Sequence, residues 1–156
     1  RVKVDDSDKN PGWKFSEQEM RGIPVRVEMG PRDIEANQAI VVRRDTREKT
    51  IVPFDKLSET CEALLAQMHD DMYAKAKAHR DANTHVANYD EFKDTAANKA
   101  GFIKAMWCGE EACETAIKDE TGATTRCIPF AQEKLGDVCV HCGKPAKHMV
   151  YFGKAY

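Results

Sequence analysis

The sequence has no long apolar run and no excess of charge of one sign, and each absence excludes a class of protein. No stretch approaches the roughly 18 consecutive apolar residues of a membrane-spanning helix, so no membrane partner is expected. The net charge is −2 over 156 residues, which argues against indiscriminate binding to nucleic acid. With 42% hydrophobic and 32% charged residues, the chain has the composition of a folded, soluble protein.

The N-terminus has no recognisable signal peptide. Arg1 is followed at once by Val2-Lys3-Val4, an alternation typical of a strand. We therefore expect the sequence to continue upstream as part of a longer, cytoplasmic protein. Its length allows one ordinary domain, or one small domain with a metal-stabilised appendage.

Cysteine is unevenly distributed, and its spacing is the most informative feature of the chain. Four residues separate Cys108 from Cys113, two separate Cys139 from Cys142, and 25 lie between the pairs. Paired knuckles of this kind are typical of one tetrahedral zinc ion held by four thiolates. Four protein ligands leave no coordination position to activate water. The sequence therefore predicts one structural zinc per chain and places the function elsewhere.

Other uses of the cysteines stay open at this point. Six cysteines can form three disulfides in a secreted protein, although the absence of an export signal favours a reduced compartment and a metal. His141 lies between two of the cysteines and can in principle replace one as a ligand. Cys61, on the apolar face of a helix, and Cys127, in an apolar strand, are interpreted as buried thiols.

Hydrophobic periodicity predicts strands and helices in two groups separated by a long helix. That helix runs from Asp55 to about Ala82 and carries apolar side chains at steps of three and four. The other predicted elements are, in order, a strand at 2–4, a helix at 13–21, a strand at 24–29, a hairpin of 39–43 and 50–54, a helix at 89–99, a strand at 101–107, a helix at 110–119, and strands at 124–130 and 150–152.

Several segments resemble prolyl-tRNA synthetase, a class II aminoacyl-tRNA synthetase. Pro11-Gly12-Trp13-Lys14-Phe15 and the run 22–33, Gly-Ile-Pro-Val-Arg-Val-Glu-Met-Gly-Pro-Arg-Asp, resemble its anticodon-binding domain. The metal knuckles, the run 123–130 and the ending Lys154-Ala155-Tyr156 resemble the C-terminal domain of the archaeal- and eukaryotic-like form.

The resemblance implies an α/β fold in two parts. Residues 1–85 would form a mixed-sheet anticodon-binding domain without its first strand and helix, and residues 86–156 a small α+β zinc domain. The parent enzyme would be a homodimer that joins proline to its transfer RNA. ATP and Mg²⁺ would bind only in a catalytic domain whose signature motifs are not seen here, so this chain alone should be inactive. The expected partners are tRNA(Pro) and the parent's own catalytic domain, and DNA is not one.

The resemblance also implies which residues contact the anticodon. In the family this is done by a carboxylate on a helix, an arginine on the next strand and a basic–acidic pair after Gly-Pro, which match Glu19, Arg26, Arg32 and Asp33. A carboxylate accepts hydrogen bonds from guanine N1 and N2, and an arginine donates to O6 and N7 or stacks on the ring. Family members have Lys or Arg at the position of Arg32, so phosphate is an alternative contact for it. Tyr156 would place its carboxylate near the catalytic domain.

Simpler interpretations of these residues and other functions stay open. Glu19 and Arg26 can form only a salt bridge on a sheet surface, and Asp33 can be only a helix cap. A free-standing RNA-binding paralogue without catalysis is a second hypothesis for the function. A DNA-binding zinc ribbon is a third, which the near-zero net charge disfavours.

Overall fold

The computed structural model describes residues 1–155, which fall into two compact units, the first ending at Lys75 and the second beginning at Ala76. None of the described helices combines the length and apolar character that a bilayer crossing requires. In chain order the elements are α1 (Pro11–Met20), β1 (Val25–Glu28), α2 (Pro31–Glu35), β2 (Gln38–Arg43), β3 (Lys49–Pro53), a 3₁₀ turn (Phe54–Lys56), α3 (Leu57–Ala82), β4 (Thr84–Val86), α4 (Tyr89–Asn98), β5 (Phe102–Trp107), α5 (Glu111–Thr121), β6 (Ala123–Cys127) and β7 (His148–Lys154).

The first unit contains an antiparallel sheet in the order β1-β2-β3. Because successive side chains of a strand point to opposite faces, the register assigns Arg26 and Glu28 of β1 to one face. They are paired there with Val42 and Ile40 of β2. The other face carries Val41, which is fully buried. The predicted hairpin of residues 39–43 and 50–54 is confirmed by the pairing of β2 with β3.

A buried arginine connects the end of β2 to α3. The Arg43 side chain is 6% exposed, and its Nε and Nη2 atoms donate to the two carboxylate oxygens of Asp45 at 3.0 and 2.7 Å. Nη2 also donates to Asp71 of α3 at 2.8 Å. These bonds from Arg43 hold the pKa of the Asp45 carboxyl below its ordinary value. A buried guanidinium needs such partners, so Arg43 is a structural residue of this unit.

The second unit contains a sheet in the order β4-β5-β7-β6, in which β4 and β5 are parallel and the other pairs antiparallel. Its core brings together α4, α5 and the central strands. Phe92 of α4 and Phe152 of β7 are fully buried, with ring centroids 5.2 Å apart in an edge-to-face arrangement. Ile117 of α5 is also fully buried in this core. The predicted α/β class is confirmed by these mixed and antiparallel sheets.

Some predicted details are wrong. Residues 2–4 form no strand, and Val2 and Val4 are exposed because no described strand pairs with them. Cys127 is exposed rather than buried, since it ends β6, which lies at the edge of its sheet, where the register shifts. Strand β4 was not predicted, because three residues are too few for a periodic signal. The predicted division between residues 85 and 86 stays a prediction; this position lies inside β4.

Gly101 lies where the chain enters β5, and we expect it to tolerate no side chain. A Cβ atom there would lie 1.9 Å from the carbonyl oxygen of Asn83, and the residue has a φ of +109°. Gly101→Ala should lower the free energy of unfolding by at least about 2 kcal/mol. Chemical denaturation measures the change. Gly136→Ala is the control, because nothing lies within 4 Å of its Cβ position, and a loss of similar size there would contradict the steric explanation.

Candidate functional site

The structure brings four of the cysteines together in the second unit. Cys108 follows β5, Cys113 lies in the first turn of α5, and Cys139 and Cys142 belong to a knuckle between β6 and β7. The four Sγ atoms lie within 4.8 Å of one another, and those of Cys142 and Cys108 are 3.8 Å apart. A tetrahedral thiolate site with arms of about 2.3 Å has edges of about 3.8 Å. The sulfur group is therefore large enough for one metal ion, which it could hold.

Backbone hydrogen bonds fix the second knuckle against the sheet. Val140 donates its N–H to the carbonyl oxygen of Met106 at 2.8 Å, and Cys139 donates to that of Lys144 at 2.7 Å. The φ of Gly143 is +71°, a left-handed value that glycine adopts without steric cost. Lys144 also pairs with Glu110 of the first knuckle at 2.7 Å. The two knuckles are thus held together by the protein itself.

The thiols of the cluster differ in the direction of their pKa shifts. Burial raises the pKa of Cys108 and of Cys113. Burial also acts to raise that of Cys139, but backbone N–H groups, those of Cys142 and His141 foremost, outweigh it and lower the pKa to about 7. Several clustered thiolates repel one another, and a bound cation removes that cost.

The two alternatives for the cysteines are not found. All six cysteines are free thiols. Among residues 1–155 the four cysteines are the only cluster of three or more potential metal ligands, so His141 does not replace one of them. Its Nε2 instead lies 3.3 Å from a carboxylate oxygen of Glu120. Hydrogen bonds from Lys93, Tyr89 and His141 lower the pKa of Glu120 to about 2, so this carboxylate is a charged anchor beside the knuckle.

In the first unit, Arg26 is the centre of a second polar group. Its Nη1 donates to Glu19 Oε1 at 2.8 Å and its Nε donates to Glu28 Oε1 at 2.9 Å. The Phe15 ring lies against the guanidinium, with Arg26 Cζ 3.9 Å from the ring centroid, which is a cation–π contact. Helix α1 supplies Phe15 and Glu19 one turn apart, and β1 supplies Arg26 and Glu28 on one face.

Two further basic residues flank these carboxylates. Arg47 Nη2 lies 3.8 Å from Glu19 Oε2, and Lys49 Nζ lies 3.4 Å from Glu28 Oε2. We call Arg47, Glu19, Arg26, Glu28 and Lys49 the charge ladder, since their charges alternate in sign. The ladder has three positive and two negative members, so it can attract an anion while its carboxylates accept hydrogen bonds.

Arg32 and Asp33, the other predicted anticodon residues, lie in α2. Asp33 Oδ2 accepts a hydrogen bond from the Gly30 backbone N–H at 2.9 Å, so the carboxylate caps the helix. Arg32 is exposed, and within residues 1–155 no carboxylate lies within ion-pair distance of it. Neither residue contacts the charge ladder through a hydrogen bond or ion pair among the described residues. Tyr156, predicted to present its carboxylate, lies outside those residues.

Sequence reasoning missed Phe15 and Glu28. The spacing of both residues in the sequence indicates that they neighbour the predicted pair. Glu28 is two positions from Arg26 in a strand, so the two side chains share a face. Phe15 is four positions before Glu19 in a helix, so these two side chains are neighbours. The structure brings together Glu19 and Arg26 as a salt bridge, which is the simpler of the two interpretations of that pair, and adds Phe15 and Glu28 to it.

Known proteins match the chain in both units. A family model described as "Anticodon binding domain" matches residues 1–64, and one described as "Prolyl-tRNA synthetase, C-terminal" matches residues 89–156. The chain is 73% identical over 157 aligned residues to "Proline--tRNA ligase" of Lachnospira eligens, 64% to that of Lachnoclostridium phytofermentans and 59% to that of Clostridium botulinum. Each alignment covers 100% of the chain and 33% of the relative. The chain thus spans about a third of the length of these relatives.

Proposed function

We propose that this chain, which carries an anticodon-binding domain and a prolyl-tRNA synthetase C-terminal domain, is the RNA-recognising part of a proline–tRNA ligase. Residues 1–85 bind the anticodon of tRNA(Pro), and residues 86–156 form a zinc-stabilised scaffold for the catalytic domain. The observation that supports this most directly is the charge ladder around Arg26, which lies within the segment matched by the anticodon-binding model.

The chemistry of the ladder suits an unpaired guanine. Single-stranded RNA loops are read by hydrogen bonds to bases turned out of the stack and by stacking on planar side chains. Glu19 presents carboxylate oxygens that accept from guanine N1 and N2, and Arg26 presents donors for O6 and N7. Arg32, exposed and without a carboxylate partner, binds phosphate or base nearby, and Asp33 supports it by capping α2. The two guanines of a proline anticodon are the bases in question.

The cysteine cluster has a structural role in this proposal. Cys108, Cys113, Cys139 and Cys142 hold one Zn²⁺, because four thiolates at these separations suit its tetrahedral geometry. Such an ion would cross-link the two knuckles. Its four thiolate ligands would leave no coordination position open. The clustered sulfurs and the match to the C-terminal family model support assigning the chain to the archaeal- and eukaryotic-like form of the enzyme.

The parent protein acts in the cytoplasm as a homodimer in this proposal. ATP and Mg²⁺ bind in the catalytic domain, which the present chain does not include, so the ligase reaction belongs to the parent alone. The carboxylate of Tyr156 lies against that domain. The relatives described above, of which the chain spans about a third, are named proline--tRNA ligases, and this supports assigning the ligase reaction to the parent.

Binding to short RNA hairpins tests the proposal. The full-length protein should bind a tRNA(Pro) anticodon stem–loop with affinity about a hundredfold higher than a stem–loop in which both anticodon guanines are replaced by adenines, since each mismatched contact costs about 1–3 kcal/mol. Fluorescence anisotropy at two salt concentrations measures both affinities. Equal affinity for the two hairpins would mean that the protein holds RNA only by charge, and the proposed function would be wrong.

A further inference from the structure

We propose that Glu28, together with Phe15, is a positioning residue that aims the Arg26 guanidinium at an anticodon base. This inference rests on the proposed function and adds to it a residue that holds Arg26 without touching the RNA. It starts from the fact that two hydrogen bonds and one ring contact converge on this single side chain.

Three contacts orient the guanidinium. Glu28 accepts from Nε and Glu19 accepts from Nη1, so two separate nitrogens of the plane are held at 2.9 and 2.8 Å. The Phe15 ring, 3.9 Å from Cζ, covers one face. Among residues 1–155, Nη2 donates to no side chain or carbonyl. The Nε N–H and one N–H of Nη1 are used, so three N–H groups of Arg26 are left for a ligand, two of them on Nη2.

Fixing the plane matters because base recognition depends on orientation. An arginine reads guanine when its N–H groups lie in the plane of the base and point at O6 and N7. A freely rotating arginine loses about 2 kcal/mol of rotamer entropy when it is immobilised. In this protein three contacts already orient the side chain without RNA, so binding has less of that ordering to supply.

Exposure separates the role of Glu28 from that of Glu19. The Glu28 side chain is 18% exposed and that of Glu19 is 29% exposed, against 21% for Arg26. The second oxygen of Glu28 faces Lys49 at 3.4 Å. Glu28 is thus the least accessible member of the trio, and its second partner is closer than that of Glu19, whose other oxygen lies 3.8 Å from Arg47. Its place suits a support for Arg26, whereas Glu19 is better placed for contact with a base.

Neutralising Glu28 tests the inference. In the full-length protein, Glu28→Gln should weaken binding of the tRNA(Pro) anticodon stem–loop about tenfold, because Arg26 loses a charged hydrogen bond that orients it. Preference for guanine over adenine in the hairpin should fall by a similar factor. Glu48→Gln, the same charge change in the β2–β3 turn, is the matched control and should leave both quantities unchanged. Unchanged affinity and preference for Glu28→Gln would overturn the inference.

A double-mutant cycle asks whether Glu28 acts through Arg26. In an Arg26→Ala background, Glu28→Gln should change affinity less than twofold, since residues that act through one group are not additive. A full additional tenfold loss would mean that Glu28 contacts RNA itself, and would refute a positioning role. Should Arg26→Ala alone leave hairpin affinity unaltered, the proposed function fails first. If Arg26→Ala weakens binding and Glu28→Gln does not, only the inference about Glu28 fails.

A second variant guards against misfolding. Phe15→Leu keeps an apolar side chain in α1 but removes the ring face beneath the guanidinium. It should also reduce the preference for guanine, while the thermal midpoint of unfolding stays near that of the unsubstituted protein. Retained preference in a folded Phe15→Leu protein would exclude Phe15 from the proposal.

Discussion

Cys139→Ser is expected to release the metal and to unfold the knuckles of the second unit. Zinc bound by four thiolates supplies on the order of 10 kcal/mol to the folding of a small unit. Cys139 is buried among the other three sulfurs, and its pKa of about 7 makes it the most readily ionised of the cysteines whose pKa is shifted. Serine offers an alcohol oxygen in place of a thiolate. Loss of the Cys139 thiolate should therefore weaken metal binding by the whole site.

Two measurements check this expectation. Elemental analysis should find about one zinc per chain in the unsubstituted protein and almost none in Cys139→Ser. Hydrogen exchange should then be fast in β5 and β7, which frame the knuckles, and remain slow in β2 of the first unit. Cys127→Ser is the matched control, since this exposed cysteine lies outside the cluster, and it should keep its zinc. A stable, protected tail without zinc would show that the sulfurs are held together by packing alone.

The metal cluster was predictable because its information is local. Two pairs of cysteines at short spacing specify two knuckles whatever the intervening chain does, and the structure brings the predicted four together. The prediction for Cys127 was wrong because its burial depends on the order of the strands. Strand β6 lies at the edge of its sheet, and no residue near Cys127 indicates that position.

The surface around Arg26 was harder to predict, because it depends on contacts between elements and not on local spacing. The α1 helix and the β1 strand were predictable from periodicity and from turn residues such as Asn10, whose side chain accepts from the Trp13 backbone N–H. The packing of α1 against β1 was not predictable, because it depends on the contact between the Phe15 ring and the Arg26 guanidinium. The Glu19–Arg26 pair was therefore predicted from the family resemblance and not from spacing. Glu28 could be placed beside Arg26 only once the strand register was known.

In the proposed parent ligase, Arg26→Ala should lower the rate of tRNA charging on the order of a hundredfold while leaving proline-dependent ATP–pyrophosphate exchange nearly intact. Removing a partly buried arginine from a hydrogen-bonded site costs about 2–5 kcal/mol of binding, whereas exchange needs only ATP and proline. The loss should appear in kcat/KM for tRNA. Single-turnover charging and exchange assays on the same preparation separate the two effects.

The substitution also leaves Glu19 and Glu28 facing each other without their shared cation, so a loss of fold has to be separated from a loss of recognition. Arg26→Lys serves this purpose: it keeps the positive charge between the carboxylates but lacks the planar fork that matches a base edge. It should fold normally and still charge poorly. Arg21→Ala removes an arginine whose side chain is 56% exposed and which pairs with Glu17 of α1. It should charge normally, because an exposed ion pair contributes little. If exchange falls as far as charging in Arg26→Ala, or if Arg26→Lys charges at full rate, Arg26 is a structural cation and its assignment as a base reader is wrong.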